Sequence, residues 1–306
     1  MDDKEFNEKY EQLKKSNFKQ QKLAGWRPVP TLSCVTIIYL SFAVFFIIMG
    51  IIILVFTSQL KEIKFRYDDY CEGNYYSNCS IRFTVTEKMS KPIFIYYQID
   101  GFSQNHRTYM ESKSDKQLNG EDVSKEDLEK SGVCEFALLN KDVGVRYGLD
   151  PEEVANPCGL MAKSYFKDNF LDWKINGKEI YPREEDIAYK ADKQKYENIQ
   201  YSEDKHWINM TNEHFMVWMR PSPFPNPRKL WGVIEDEDIE RDSIVSLIVE
   251  NNNYLQDKKY IILTTRNVFG GKSMFLGFFY IVFGFLCLIA SIVFIITFNS
   301  FHRKKK

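Results

Sequence analysis

Leu32 to Phe56 reads LSCVTIIYLSFAVFFIIMGIIILVF, 25 residues without a charge. Met274 to Phe298, MFLGFFYIVFGFLCLIASIVFIITF, is a second uncharged run of 25 residues. At 1.5 Å per residue each reaches roughly 37 Å as a helix, enough to cross a ~30 Å hydrocarbon core with some tilt. The competing reading is a buried helix of a soluble core, but two such runs are hard to hide inside a globule. The first run follows the polar residues 1–31, is longer than a usual signal-peptide core and has no small-residue cleavage site after it. It therefore reads as a signal anchor, residues 32–56, with a second transmembrane helix over 274–298.

Working outward, charge sets the orientation. The chain of 306 residues carries 41 Lys and Arg against 42 Asp and Glu, net −1, and offers none of the basic excess of a nucleic-acid binder. Residues 1–31 hold seven basic groups, and Arg303 to Lys306 hold four. That leaves 30 of the 41 basic and 37 of the 42 acidic residues in the middle, which is net −7. The positive-inside bias then predicts a cytosolic N-terminal tail (1–31), a lumenal or extracellular domain (57–273) and a cytosolic C-terminal tail (299–306).

Cysteines and sequons agree with an oxidising side. Cys34 and Cys287 lie within the runs, whereas Cys71, Cys79, Cys134 and Cys158 all fall in the middle. Four cysteines there predict two disulfides with three possible pairings. The local pairs Cys71–Cys79 and Cys134–Cys158 are favoured, because they close without crossing distant elements. A zinc site is the rival, but the segment has no C-x-x-C and no histidine close to these cysteines in sequence. Asn78-Cys79-Ser80 and Asn209-Met210-Thr211 are glycosylation sequons, and no such triplet lies outside the middle.

The middle is rich in strand signals. Residues 81–86 alternate apolar and polar, and 93–99 (IFIYYQI) are aromatic and β-branched. Residues 214–219 (HFMVWM), 244–249 (IVSLIV) and 260–265 (YIILTT) read as three further strands. Short helices are expected over 105–112 and 159–170, and the lysine-rich stretches 113–131 and 183–206 read as surface loops. Pro221, Pro223, Pro225 and Pro227 end the strand before them. The expected fold is a membrane protein: two transmembrane α-helices flank a β-rich (α+β), disulfide-bonded ectodomain of two packed antiparallel sheets with long insertions.

Catalytic motifs are missing. Phe269-Gly270-Gly271-Lys272-Ser273 is similar to a phosphate loop, but Arg266 stands where its first glycine belongs. There is no G-x-S-x-G and no H-E-x-x-H, and His106, His206, His214 and His302 are scattered. Glu184-Glu185 lies in a polar run that reads as solvated surface. No catalytic residue, metal or cofactor is expected. In the second run Gly277, Gly284 and Ser291 recur every seven residues, close to two helical turns, and form a stripe of small residues on which another helix can pack. That helix is either a partner's or the chain's own first span near Gly50.

A series of short motifs points further. Residues 18–28 read FKQQKLAGWRP before the first run; Tyr97 and residues 104–109 (QNHRTY) and 117–120 (QLNG) follow. Then come 156–162 (NPCGLMA), 215–220 (FMVWMR) with Arg228-Lys229-Leu230, 251–254 (NNNY), and 263–265 (LTT) with Gly270-Gly271-Lys272. In order and spacing this series resembles the CDC-fifty/Lem-three family, over about residues 18–285. The resemblance implies a non-catalytic accessory (β) subunit of a type IV P-type ATPase that moves phospholipid, held one-to-one with its catalytic α-subunit in the membrane lipid. It implies a role in the folding, export from the endoplasmic reticulum and transport cycle of that partner. Some members carry two more cysteines near the first bridge, where this chain has only Cys71 and Cys79. Trp26 and Arg27, in the motif before the first span, join the stripe as candidates for partner contact. A free-standing receptor or adhesion ectodomain is the alternative.

Overall fold

A computed structural model describes residue 7, residues 10–11, 13–22, 31–71, 78–144, 148–199, 205–250 and 258–303. It divides into two units: Met1–Ile53 with Phe275–Lys306, and Leu54–Met274.

Among the described residues of the second unit, eight strands form two antiparallel sheets. They are β1 (Glu62–Arg66), β2 (Asn78–Thr84), β3 (Ile93–Asp100), β4 (Asn169–Ile175), β5 (Lys178–Glu179), β6 (Arg228–Ile234), β7 (Ile244–Glu250) and β8 (Lys258–Thr264). One sheet has the order β1-β8-β3-β6 and the other β2-β7-β4-β5. Along β2 exposed and buried residues alternate from Asn78 to Thr84, as expected of a strand with one wet face. Along β3, Ile93, Ile95, Tyr97 and Ile99 join the core, where they meet Ile261 and Leu263 of β8. Ile81, Leu247, Val249, Phe170 and Trp173 enter the same core from the second sheet. Full burial of one such side chain contributes roughly 1.5–3 kcal/mol.

The strands expected at 81–86, 93–99, 244–249 and 260–265 are present within two or three residues at their ends. The segment 214–219 is a correction: it is the helix Glu213–Met219, capped by Asn212, whose side chain accepts a hydrogen bond from the His214 N–H. Phe215, Met216, Trp218 and Met219 are its buried residues, a helical rather than an alternating pattern. The prolines from 221 onward therefore end a helix; Arg220 ahead of Pro221 is already extended, at ψ 105°. The region 159–170 is also divided, into the one-turn helix Leu160–Lys163 and the start of β4. The expected loops hold the short helices Asp115–Leu118, Lys125–Ser131 and Lys190–Lys193.

A satellite core of Leu128, Cys134, Ala137, Val143, Ala155 and Cys158 forms beside the sheets. Gln117, itself buried, ties it down: its amide donates to the Ala155 carbonyl at 3.0 Å and accepts from the Cys158 N–H at 2.9 Å.

Among the described residues two helices are long and apolar enough, by length and composition, to cross a membrane. The first runs over Leu32–Ser58 and the second over Phe275–Arg303.

Candidate functional site

Three features concern function: the face between the spans, the disulfides and sequons, and a groove on the first sheet.

The small-residue stripe has an occupant within the chain. A Cβ placed on Gly284 would stand 3.1 Å from Ile47 N and 3.2 Å from Ala43 O. One placed on Gly50 would stand 2.9 Å from Gly277 O. Ser291 is buried, its Oγ 3.5 Å from the Thr36 carbonyl. Phe46 packs edge-on against Phe283 and Tyr280, with ring centroids 5.1 and 5.6 Å apart. Gly277, Gly284 and Ser291 are thus used for packing on the chain's own first span. The residues exposed on the second span are large and apolar, among them Phe278, Phe279, Val282, Phe285, Leu286 and Ile289. Trp26 and Arg27 lie outside the described residues.

Cys71 is joined to Cys79 and Cys134 to Cys158, with Cα–Cα separations of 5.6 and 5.8 Å. Asn78 opens β2 opposite Glu250 and is exposed, while Cys79 beside it is buried. Asn209 is exposed at a turn, and its Oδ1 accepts from Thr211 N–H (3.0 Å), Thr211 Oγ1 (2.7 Å) and Asn198 Nδ2 (2.8 Å).

Three buried charged residues escaped sequence reasoning. Lys259 pairs with Asp168 at 2.8 Å, and the Tyr67 hydroxyl donates to the same carboxylate oxygen at 2.8 Å. Burial, and then Asp168, push the Tyr67 hydroxyl well above its ordinary pKa. Lys229 on β6 donates to the carbonyls of Trp218 and Arg220. Burial lowers its ammonium to a pKa of about 7, and Arg220 adds to the effect. Gln104, also buried, donates to the Trp218 carbonyl and accepts from Ser222 N–H, so the proline segment is held from both sides.

The groove, about 590 Å³, lies on the face of the first sheet turned away from its core. Phe94 and Tyr96 contribute from β3, Arg228 and Leu230 from β6, and Arg183, Tyr189, Arg220 and Arg266 from its borders. Arg183 pairs with Glu235 (2.7 Å), Arg220 with Asp192 (3.1 Å) and Arg228 with Glu62 (2.9 Å). Arg220 lies 3.9 Å over the Tyr189 ring and Arg266 4.1 Å over the Phe94 ring. Burial raises the Tyr96 hydroxyl pKa, and the adjacent Arg266 opposes it. Among the described residues no group of three His, Cys, Asp or Glu gathers to hold a metal.

Two apolar helices, one at each end of a disulfide-bonded domain of two antiparallel sheets, define an integral membrane protein with a large β-rich domain between its spans. The LEM3 (ligand-effect modulator 3) family / CDC50 family matches residues 53–304, and the chain belongs to that family. It is similar to ALA-interacting subunit 3 of Arabidopsis thaliana, 31% identical over 93% of this chain and 86% of that protein. It is also similar to cell cycle control protein 50A of Bos taurus, 28% identical over 94% and 89%. The phospholipid-transporting ATPase accessory subunit LEM3 of Saccharomyces cerevisiae is 28% identical over 95% of this chain and 84% of its own length.

Proposed function

We propose that this chain is a non-catalytic accessory subunit of a phospholipid-transporting P-type ATPase. The observation that carries the reading is near full-length similarity to a yeast subunit of that name, over 95% of this chain. In this reading the ATPase binds ATP and moves the lipid, and this chain supports the partner's folding, export from the endoplasmic reticulum and transport cycle. Both termini are cytosolic and residues 57–273 face the lumen or the exterior; the Lys and Arg of the two tails support this orientation. Asn78 and Asn209 are the glycan acceptors, and the large outer side chains of the spans, with Trp26 and Arg27, meet the partner or lipid.

Affinity purification of the full chain in mild detergent tests this. A P-type ATPase should be recovered at one-to-one stoichiometry, and depletion of the chain should retain that ATPase in the endoplasmic reticulum. Recovery of the chain alone, with ATPase export unchanged, would favour a free-standing receptor. In sealed microsomes added protease should spare the middle, and deglycosylation should lower the mass by one or two glycans.

A further inference from the structure

Arg183, Arg220 and Arg228 in the groove each have a carboxylate partner; among the described residues no ion pair occupies Arg266. Its guanidinium carbon lies 4.1 Å over the Phe94 ring with the Tyr96 hydroxyl in hydrogen-bonding contact, and the side chain is exposed, so N–H donors remain for a ligand. A fixed fork of N–H donors suits a phosphate better than a point charge does.

The segment after Arg266 sets its depth. Asn267 and Gly270 exchange backbone hydrogen bonds of 3.1 and 3.0 Å, closing a turn with Val268 and Phe269 at its tip. Val268 is 100% exposed and Phe269 44%. The turn is fastened to the end of the first uncharged run: Asn267 Nδ2 donates to the Phe56 carbonyl at 3.1 Å, and the Phe56 and Phe269 rings stand 5.9 Å apart. An apolar tip held level with the last residue of a transmembrane run lies where headgroups meet acyl chains.

We propose that this end of the groove is a lipid-headgroup site: Arg266 takes the phosphate of an anionic glycerophospholipid in the adjoining leaflet, while Val268 and Phe269 enter the acyl boundary. Phe94 and Tyr96 form its floor. The three neutralised arginines leave Arg266 to set the charge preference at that end, so an anionic headgroup is favoured over a zwitterionic one.

The lipid tests use the full chain alone and are independent of the partner assignment. Short-chain phosphatidylserine is titrated into the detergent-solubilised chain, against short-chain phosphatidylcholine and inorganic phosphate. Phosphatidylserine should bind most tightly; Arg266→Gln should weaken it at least tenfold and Arg266→Lys less than threefold. In nanodiscs, a polarity-sensitive fluorophore on Val268→Cys should emit as in an apolar medium and be quenched by shallow spin-labelled lipid. Equal affinity of wild type and Arg266→Gln, phosphate binding as tightly as the lipid, or water-like emission at position 268 would each overturn the proposal. So would lipid binding that vanishes on assembly with the ATPase while Arg266→Gln lowers ATPase recovery, which would assign the groove to an acidic segment of the partner.

Discussion

At the scale of single residues, Gly159 has the least room for a side chain among the described glycines. Its φ is +103°, and a Cβ there would be driven into the Ser112 carbonyl. The closeness has a use: Ser112 accepts from Leu160 N–H through Oγ (2.9 Å) and from Met161 N–H through its carbonyl (3.4 Å). Gly159→Ala adds a strained backbone to a steric conflict and should cost about 3 kcal/mol, read as lost yield and a lower melting temperature of the purified chain. Lys229 makes a different prediction. Unfolded, it titrates near the usual ~10.4; folded, near 7. Between these values the unfolded chain holds a proton that the folded chain has released, so stability rises with pH through that window. Below pH 7 the folded chain carries the full cost of the buried charge. Lys229→Met removes the titration, so wild-type stability relative to the variant should climb by about 2–4 kcal/mol from pH 7 to pH 10 in denaturant melts. A flat difference would mean that Lys229 is not held neutral.

At the scale of elements, the sequence was most legible where burial follows a single period. β2 and β7 alternate cleanly and were found, as were the two spans. HFMVWM was misread because all six residues but one are apolar, so its composition suits a strand and its period is hidden. The signal available was Asn212 followed by Glu213, a capping residue and an acid in the first turn. β1 was missed because charges interrupt it, and β6 because it opens on Arg228-Lys229 and leaves only a short apolar run. Lys64 reaches Asp100 on β3 (3.5 Å), Arg228 reaches Glu62 on β1 (2.9 Å) and Lys229 is buried against carbonyls, and only tertiary structure supplies those partners. The groove was illegible for the same reason, since its arginines come from four separated segments. The spans carry the prediction at this scale. Thr36→Cys with Ser291→Cys should cross-link under mild oxidation, and adding Gly284→Leu should lower the yield severalfold by forcing Ile47 and Ala43 away, with insertion and glycosylation unchanged. Equal cross-linking in both backgrounds would sink this packing.

At the scale of the whole molecule the two bridges have unequal duties. Cys134–Cys158 spans 24 residues and lies in the satellite core, whereas Cys71–Cys79 spans 8. The chain-entropy account assigns them roughly 3.5 and 2.5 kcal/mol. Cys134→Ser also leaves a thiol partner in a core that Gln117 and the Gly159 turn hold together. It should reduce export and partner recovery more than Cys71→Ser, as measured by glycan maturation and co-purification. Equal export of the two mutants would count against this ranking. The cysteines and spans were legible because each is a local pattern. The satellite core was not, because it is assembled from short helices inside stretches whose lysines and glutamates read as loop.

The strand order has a consequence in time. β8 lies between β1 and β3, and β7 between β2 and β4, so each sheet receives a central strand from the last part of the domain to be made. While the chain is being synthesised neither sheet can close, and β1 and β3 wait with open edges until residue 264 has been delivered. Thr264 lies ten residues before Met274, so completion of the domain and arrival of the second transmembrane run become almost one event. A chain arrested before Lys258 should remain bound to chaperones however long it is given, and one arrested after Phe298 should release them. The fold thereby reports its own progress: a finished sheet certifies that the domain has been delivered as far as Thr264, within ten residues of the second run.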